Sequence, residues 1–201
     1  MPRFAAGLVA LVCWCGLAVQ IAATYSVQDD IAATLWIIAR FFTVLTNLAL
    51  AVIMTGVAAR RRISPFLLGG ITLAILLVGI VYATLLVGLQ QLHGLALIAD
   101  VLLHKASPGA MTLWWLLFAP HRKLQKSAPL LWSFYPLAYF GYAAGRGIVD
   151  GKYPYPFIDV GRLGWPQTLL NAGGIAFAFV LGGLALVALD RILPGGAKGR
   201  G

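Results

Sequence analysis

Apolar residues run through this chain in six long blocks, separated by short polar connections. The blocks cover roughly residues 4–24, 32–59, 65–89, 95–118, 129–146 and 166–191. Each approaches the ~20 residues an α-helix needs to cross a hydrocarbon layer. The pattern predicts an all-α integral membrane bundle of six transmembrane helices. Ser64-Pro65, Ala128-Pro129 and Trp165-Pro166 open the third, fifth and sixth helices, with proline in the first turn, where its missing N–H costs nothing. Blocks and connections use residues 1–193, so the expectation is one membrane domain and a disordered cytoplasmic tail over 194–201, rich in Gly, Lys and Arg. The first block follows Arg3 as a signal peptide would. Its apolar run exceeds a typical signal core of about 7–15 residues, so a retained helix is expected.

Composition supports the membrane reading. Hydrophobic residues make up 61% of the chain and charged ones 10%, against about 25% charged in soluble domains. The charges are also sorted. Arg3, Arg60-Arg61-Arg62, Arg122, Lys123, Lys126, Arg191, Lys198 and Arg200 fall on alternate connections and account for ten of the fifteen basic residues. Cytoplasmic loops carry such an excess, so both termini are expected in the cytoplasm. The other side holds Asp29-Asp30, the Gln90-Gln91 turn and a loop with Arg146, Asp150, Lys152, Asp159 and Arg162. The net charge of +9 follows from this bias; it forms no basic face for nucleic acid. Cys13 and Cys15 lie two apart on one helix, diverge by about 200° and cannot bridge.

Two blocks carry polar groups that hydrocarbon disfavours. Such groups face a protein interior or a wet cavity. On an ideal second helix Arg40 and Asn47 lie within about 20°, Thr43 about 60° to one side, and Thr46 on the border of that face. On the fourth, Asp100 and His104 are an i,i+4 pair, and Ser107 and Met111 continue their stripe. Lys105 points elsewhere and is expected to snorkel. Pro108 removes the N–H that the His104 carbonyl would receive, so a kink is expected beside the histidine, eased by Gly109. By residue type these groups suit a hydroxyl nucleophile (Thr43), an imidazole base (His104) and an orienting carboxylate (Asp100), with Asn47 or Arg40 stabilising an oxyanion or binding a carboxylate.

Blander roles fit the same residues. A membrane threonine ordinarily bonds the carbonyl one turn back, and Arg40 and Asp100 suit an interhelical ion pair. His93 and His121 fall at helix ends, where solvation is expected. Scattered histidines and no usable thiol pair point to no metal centre, and nothing implies a cofactor. The aromatic loop from Gly147 to Gly164 fits a lid or an interfacial anchor.

Arg40-Phe-Phe-Thr-Val-Leu-Thr-Asn47, Leu103-His104 with Pro108 and Trp114-Trp115-Leu-Leu-Phe118, and Tyr135-Pro136 with Tyr139, Tyr142, Arg146-Gly147 and Tyr153-Pro-Tyr-Pro-Phe-Ile-Asp159 together resemble the androgen-induced-protein family, above all its prokaryotic branch. The resemblance spans about residues 30–165. Animal members are multi-span hydrolases that cleave fatty acid esters of hydroxy fatty acids with an intramembrane Thr and His. The resemblance implies a helical bundle in a prokaryotic cytoplasmic membrane, a lipid substrate drawn from the bilayer, His104 as the family histidine and Thr43 as its threonine, with Thr46 the other candidate beside Asn47. Asp100 has no counterpart in that motif; its role comes from spacing alone. Two other functions remain open: a small transporter or carrier with a polar intramembrane site, against which no internal repeat is visible, and a non-catalytic lipid-binding protein.

Overall fold

The computed structural model describes residues 1–89 and 91–194. Gln90 of the expected turn, and the expected disordered tail beyond Pro194, lie outside them. Helices occupy all six apolar blocks, and the described residues contain no strand. In order they are α1 (Pro2–Gln28), α2 (Ile31–Ile38), α3 (Phe42–Ala58), α4 (Pro65–Val81), α5 (Gly94–Val101), α6 (Ser107–Phe118), α7 (Ala128–Trp132), α8 (Phe134–Asp150) and α9 (Val160–Ile192). A π turn, Tyr82–Leu86, extends α4, and another, Leu102–Ala106, joins α5 to α6. The Asp30 carboxylate caps α2 by accepting from Ala33 N at 2.6 Å, and Ser64 Oγ caps α4 by accepting from Leu67 N at 3.2 Å.

Three helices are long and apolar enough to cross a membrane: Pro2–Gln28, Pro65–Leu86 and Val160–Ile192. The pair Ile31–Ile38 and Phe42–Ala58 makes a fourth if it counts as one span, although it is bent by 96°. The other two expected spans are helical but fall outside that set. One carries Asp100, His104 and Lys105. The other is interrupted at Ser133, because Pro136 has no N–H for the Trp132 carbonyl.

The chain forms two compact units, Met1–Leu124 with the described residues from Asp190, and Gln125–Leu189. In the first, α1 packs on α3, α5 and α6, and α4 on α3 and α6. Leu50, Met54, Ile75, Leu103 and Met111 are wholly buried there. Gly16 is where α1 meets the Leu102–Ala106 turn: a Cβ at that position would stand 2.7 Å from Leu103 Cδ2 and 3.1 Å from Leu102 Cβ. Trp114 Nε1 donates to the Pro2 carbonyl at 2.9 Å, and Trp14 Nε1 to Thr55 Oγ1 at 3.1 Å. His121 is not solvated as its position suggested. It is buried, its Nδ1 3.3 Å from Asp190 Oδ1 and its ring edge-on to Trp115, while Asp190 Oδ2 accepts from Lys123 N and Leu124 N. A buried carboxylate needs such donors, and here the loop after α6 supplies them.

The second unit holds α7, α8, a 3₁₀ turn (Pro156–Ile158) and α9 as far as Leu189. Helix α8 runs on to Asp150 and ends on Gly151 at φ 69°, so the expected Gly147–Gly164 loop is shorter than its sequence suggested. Gly147 leaves room for the Tyr153 ring, which lies where its Cβ would be. Tyr155 stacks on Phe157, and Asn171 Nδ2 holds the Phe157 carbonyl at 2.9 Å. In α9, Gly164 is non-helical (φ 72°, ψ 163°), so the long helical run starts at Trp165-Pro166 as the sequence predicts.

Candidate functional site

The second apolar block is not one ideal helix. Ala39, Arg40 and Phe41 separate α2 from α3. There Arg40 N and Phe41 N bond the Ile37 and Ile38 carbonyls, three residues back, and Phe41 is extended (φ −88°, ψ 130°). The shared face of Arg40 and Asn47 expected from a continuous helix therefore does not exist as such: Arg40 sits in the break and Asn47 on α3, both buried.

The break gives Thr43 its distinct setting. Thr55, Thr72, Thr84, Thr112 and Thr168 each donate to the carbonyl four residues back, at 2.7–2.8 Å. For Thr43 that carbonyl is Ala39's, across the break. Its Oγ1 instead lies 3.2 Å from His104 Nε2. Thr46 is fully buried one turn on, and Thr43 is the threonine that reaches the imidazole.

His104 is the middle residue of the Leu102–Ala106 π turn. A π turn adds a residue to the helical turn and commonly occurs at functional sites. The kink expected at Pro108 takes this form. Ser107 donates its N–H to the Leu102 carbonyl, five residues back, and Pro108 has none for the next carbonyl, Leu103's. Side chains fill the gap: Asn47 Nδ2 and Ser107 Oγ both donate to Leu103 O, each at 3.1 Å.

Asp100 completes the chain of contacts. Its Oδ1 lies 3.1 Å from His104 Nδ1, and its backbone carbonyl 3.2 Å from the same nitrogen. Two oxygens facing Nδ1 assign the ring proton there and leave Nε2 to accept from the Thr43 hydroxyl. The other carboxylate oxygen, Oδ2, accepts from the Tyr82 hydroxyl at 2.6 Å. The Asp100 carboxylate is thus held by His104 and Tyr82; the Arg40–Asp100 ion pair that the sequence also allowed does not form. Lys105 is exposed, with its Nζ 5.5 Å from the centre of the Tyr82 ring.

Thr43, Asn47 and Asp100 are buried, whereas the His104 side chain is 19% exposed and Tyr82 is half-buried, so the cluster opens on the imidazole side. Asn47 cannot serve an oxyanion. Its Nδ2 is committed to the Thr43 carbonyl at 2.9 Å and to Leu103 O, which staples α3 to the π turn. Replacing Asn47 by Leu removes two hydrogen bonds to buried carbonyls, of which Leu103 O keeps Ser107 Oγ; at about 0.5–1.5 kcal/mol net for each bond the loss is about 1–3 kcal/mol in all. Thermal unfolding of the purified protein in detergent should show a midpoint well below wild type; an unchanged midpoint would refute the staple.

Tyr82 was not singled out by sequence reasoning. A phenol inside an apolar block reads as an ordinary membrane aromatic, and only the packing of α4 reveals its partner. Among the described residues no group of three or more His, Cys, Asp or Glu is placed to hold a metal ion. Comparison of the chain with protein-family models, curated proteins and solved structures finds no match.

Proposed function

We propose that this protein is an intramembrane hydrolase of long-chain lipid esters, of the fatty acid ester of hydroxy fatty acid type, with Thr43 as nucleophile and His104 as base. The observation that carries this reading is the continuous contact chain Thr43 Oγ1–His104–Asp100, with Nε2 turned to the hydroxyl and Nδ1 to the carboxylate. A threonine hydroxyl is a weak nucleophile until an adjacent imidazole takes its proton, and an oriented carboxylate stabilises the imidazolium that results. The resemblance to the androgen-induced-protein family supports the same pair and supplies the substrate class.

In the proposed sequence Thr43 Oγ1 attacks the ester carbonyl as its proton passes to His104 Nε2. The tetrahedral species collapses to an acyl-threonine, and the departing alcohol oxygen takes that proton. Water then attacks the acyl group, again losing its proton to Nε2. The fatty acid leaves as Thr43 recovers its hydrogen. Arg40, buried in the break three residues before Thr43, has the charge to stabilise the oxyanion. Lipid approaches from the bilayer past the partly open imidazole. The bundle crosses a prokaryotic cytoplasmic membrane six times with both termini inside, the arrangement the basic connections favour.

The test is turnover by detergent-purified protein of a long-chain hydroxy-fatty-acid ester and of a long-chain p-nitrophenyl ester. The expected result is release of free acid from both with saturation kinetics. Folded protein that releases none would sink the proposal. One observation favours a second reading: a helix broken at a polar cluster, as at Arg40, is a feature of carriers. Solute flux in proteoliposomes, lost in Asp100→Asn and unaccompanied by hydrolysis, would select the carrier.

A further inference from the structure

Tyr82 is held against the cluster in two independent ways. Its hydroxyl donates to Asp100 Oδ2 at 2.6 Å. Its ring stacks on the His104 imidazole, with centroids 4.4 Å apart and planes 20° from parallel. Both residues lie on π turns, Tyr82 opening the one that extends α4 and His104 central in the one between α5 and α6. Gly79, one turn before Tyr82, allows the two segments to approach: a Cβ there would stand 3.2 Å from Pro108 Cβ and 3.5 Å from the His104 carbonyl.

A carboxylate with a single partner in an apolar segment is poorly solvated and free to rotate about its Cβ–Cγ bond. In that rotation either oxygen, or neither, would face Nδ1. Tyr82 occupies Oδ2, so Oδ1 is the oxygen left for the imidazole. The stacked ring also fixes the plane of His104, and that plane decides whether Nε2 points at Thr43. Lys105 Nζ, 5.5 Å from the centre of the Tyr82 ring, adds a cation–π contact to the phenol.

We infer that Tyr82 is a positioning residue of this site: through the Asp100 carboxylate, which shares His104 Nδ1 with the Asp100 backbone carbonyl, and through the face of the imidazole, it biases the His104 tautomer and aims Nε2 at Thr43. The inference rests on the hydrolase reading for its effect on rate, but its structural content stands apart from turnover.

The test is Tyr82→Phe in the full chain. The ring and its stack are retained and only the hydroxyl is lost, so the fold should persist, with a thermal midpoint lowered by the loss of one donor to Asp100 Oδ2. Two readouts are taken: kcat and KM for the long-chain p-nitrophenyl ester, and ¹⁵N NMR of histidine-labelled protein. The chain has three histidines, so the His104 signals are assigned by their absence in His104→Gln. The expectation is a kcat lowered about 10–100-fold with little change in KM, and His104 nitrogen shifts moving from a single Nδ1–H tautomer towards a mixture. Wild-type kcat with wild-type shifts would overturn the inference, as would a higher KM at unchanged kcat. If wild-type protein hydrolyses nothing, the hydrolase reading fails, and the NMR arm alone decides on Tyr82: altered His104 shifts uphold the positioning role and unaltered shifts end it.

Discussion

His104→Ala and Thr43→Ala are each expected to lower ester turnover by about 10³–10⁶-fold while the protein remains folded. The two residues act as a unit. Without Nε2 the Thr43 hydroxyl has no base at 3.2 Å; without the hydroxyl the imidazole has no nucleophile to deprotonate. The double variant should therefore be hardly slower than either single one, the non-additivity expected of groups that share one step. Initial rates at matched concentrations of folded protein, with unfolding midpoints measured beside them, check both statements. Full activity in either purified variant removes that residue from the mechanism. Loss in Thr46→Ala, with Thr43→Ala still active, would move the nucleophile one turn along α3 and undo the assignment.

Why Thr43 stands apart from the other hydroxyls was only half legible in the sequence. Its depth, close to that of His104, could be estimated from the apolar blocks, though not that the two helices adjoin, and the Asp100–His104 pair follows directly from i,i+4 spacing. The break that frees it could not. Ile37-Ile38-Ala39-Arg40-Phe41-Phe42 contains neither proline nor glycine, so local propensity argues for a continuous helix and tertiary context overrides it. The same gap explains Asn47. On a continuous helix it reads as a polar side chain on the face of Arg40; in the structure its amide replaces a backbone donor that Pro108 cannot provide. Pro108 was visible and its missing N–H was foreseen, but the π turn shifts the bereft carbonyl from His104 to Leu103. Helix positions were the legible part, since apolar blocks and the Ser64-Pro65, Ala128-Pro129 and Trp165-Pro166 openings mark them locally. The breaks at Arg40 and Ser133 were not legible, because a block of sufficient length conceals them. Tyr82 with Asp100, and His121 with Asp190, are pairings across separate segments that no periodicity reveals.

Asp100→Asn should separate catalysis from stability more sharply than any other substitution here. Asparagine keeps the shape, and its carbonyl oxygen still accepts from Tyr82 in place of Oδ2. The atom then turned to His104 is an NH₂ group, which donates where the carboxylate accepted. An amide aimed at Nδ1 favours the tautomer with the proton on Nε2, while the Asp100 backbone carbonyl, 3.2 Å from Nδ1, still favours the proton there, so the ring divides between the two. In the fraction with the proton on Nε2 the imidazole presents an N–H to Thr43 instead of a lone pair, and the hydroxyl keeps its hydrogen. The imidazolium formed during attack also loses its stabilising charge. A loss of about 10²–10⁴-fold in kcat is expected, with KM nearly unchanged. Stability should move the other way or not at all, because a neutral amide is easier than a carboxylate to bury in an apolar segment. Thermal unfolding and steady-state kinetics on the same preparation decide it. A midpoint equal to or above wild type with a collapsed kcat fits Asp100 as the group that sets the tautomer. Wild-type kcat would exclude Asp100 from the proton path, and a collapsed midpoint would make it a structural ion whose catalytic effect is indirect.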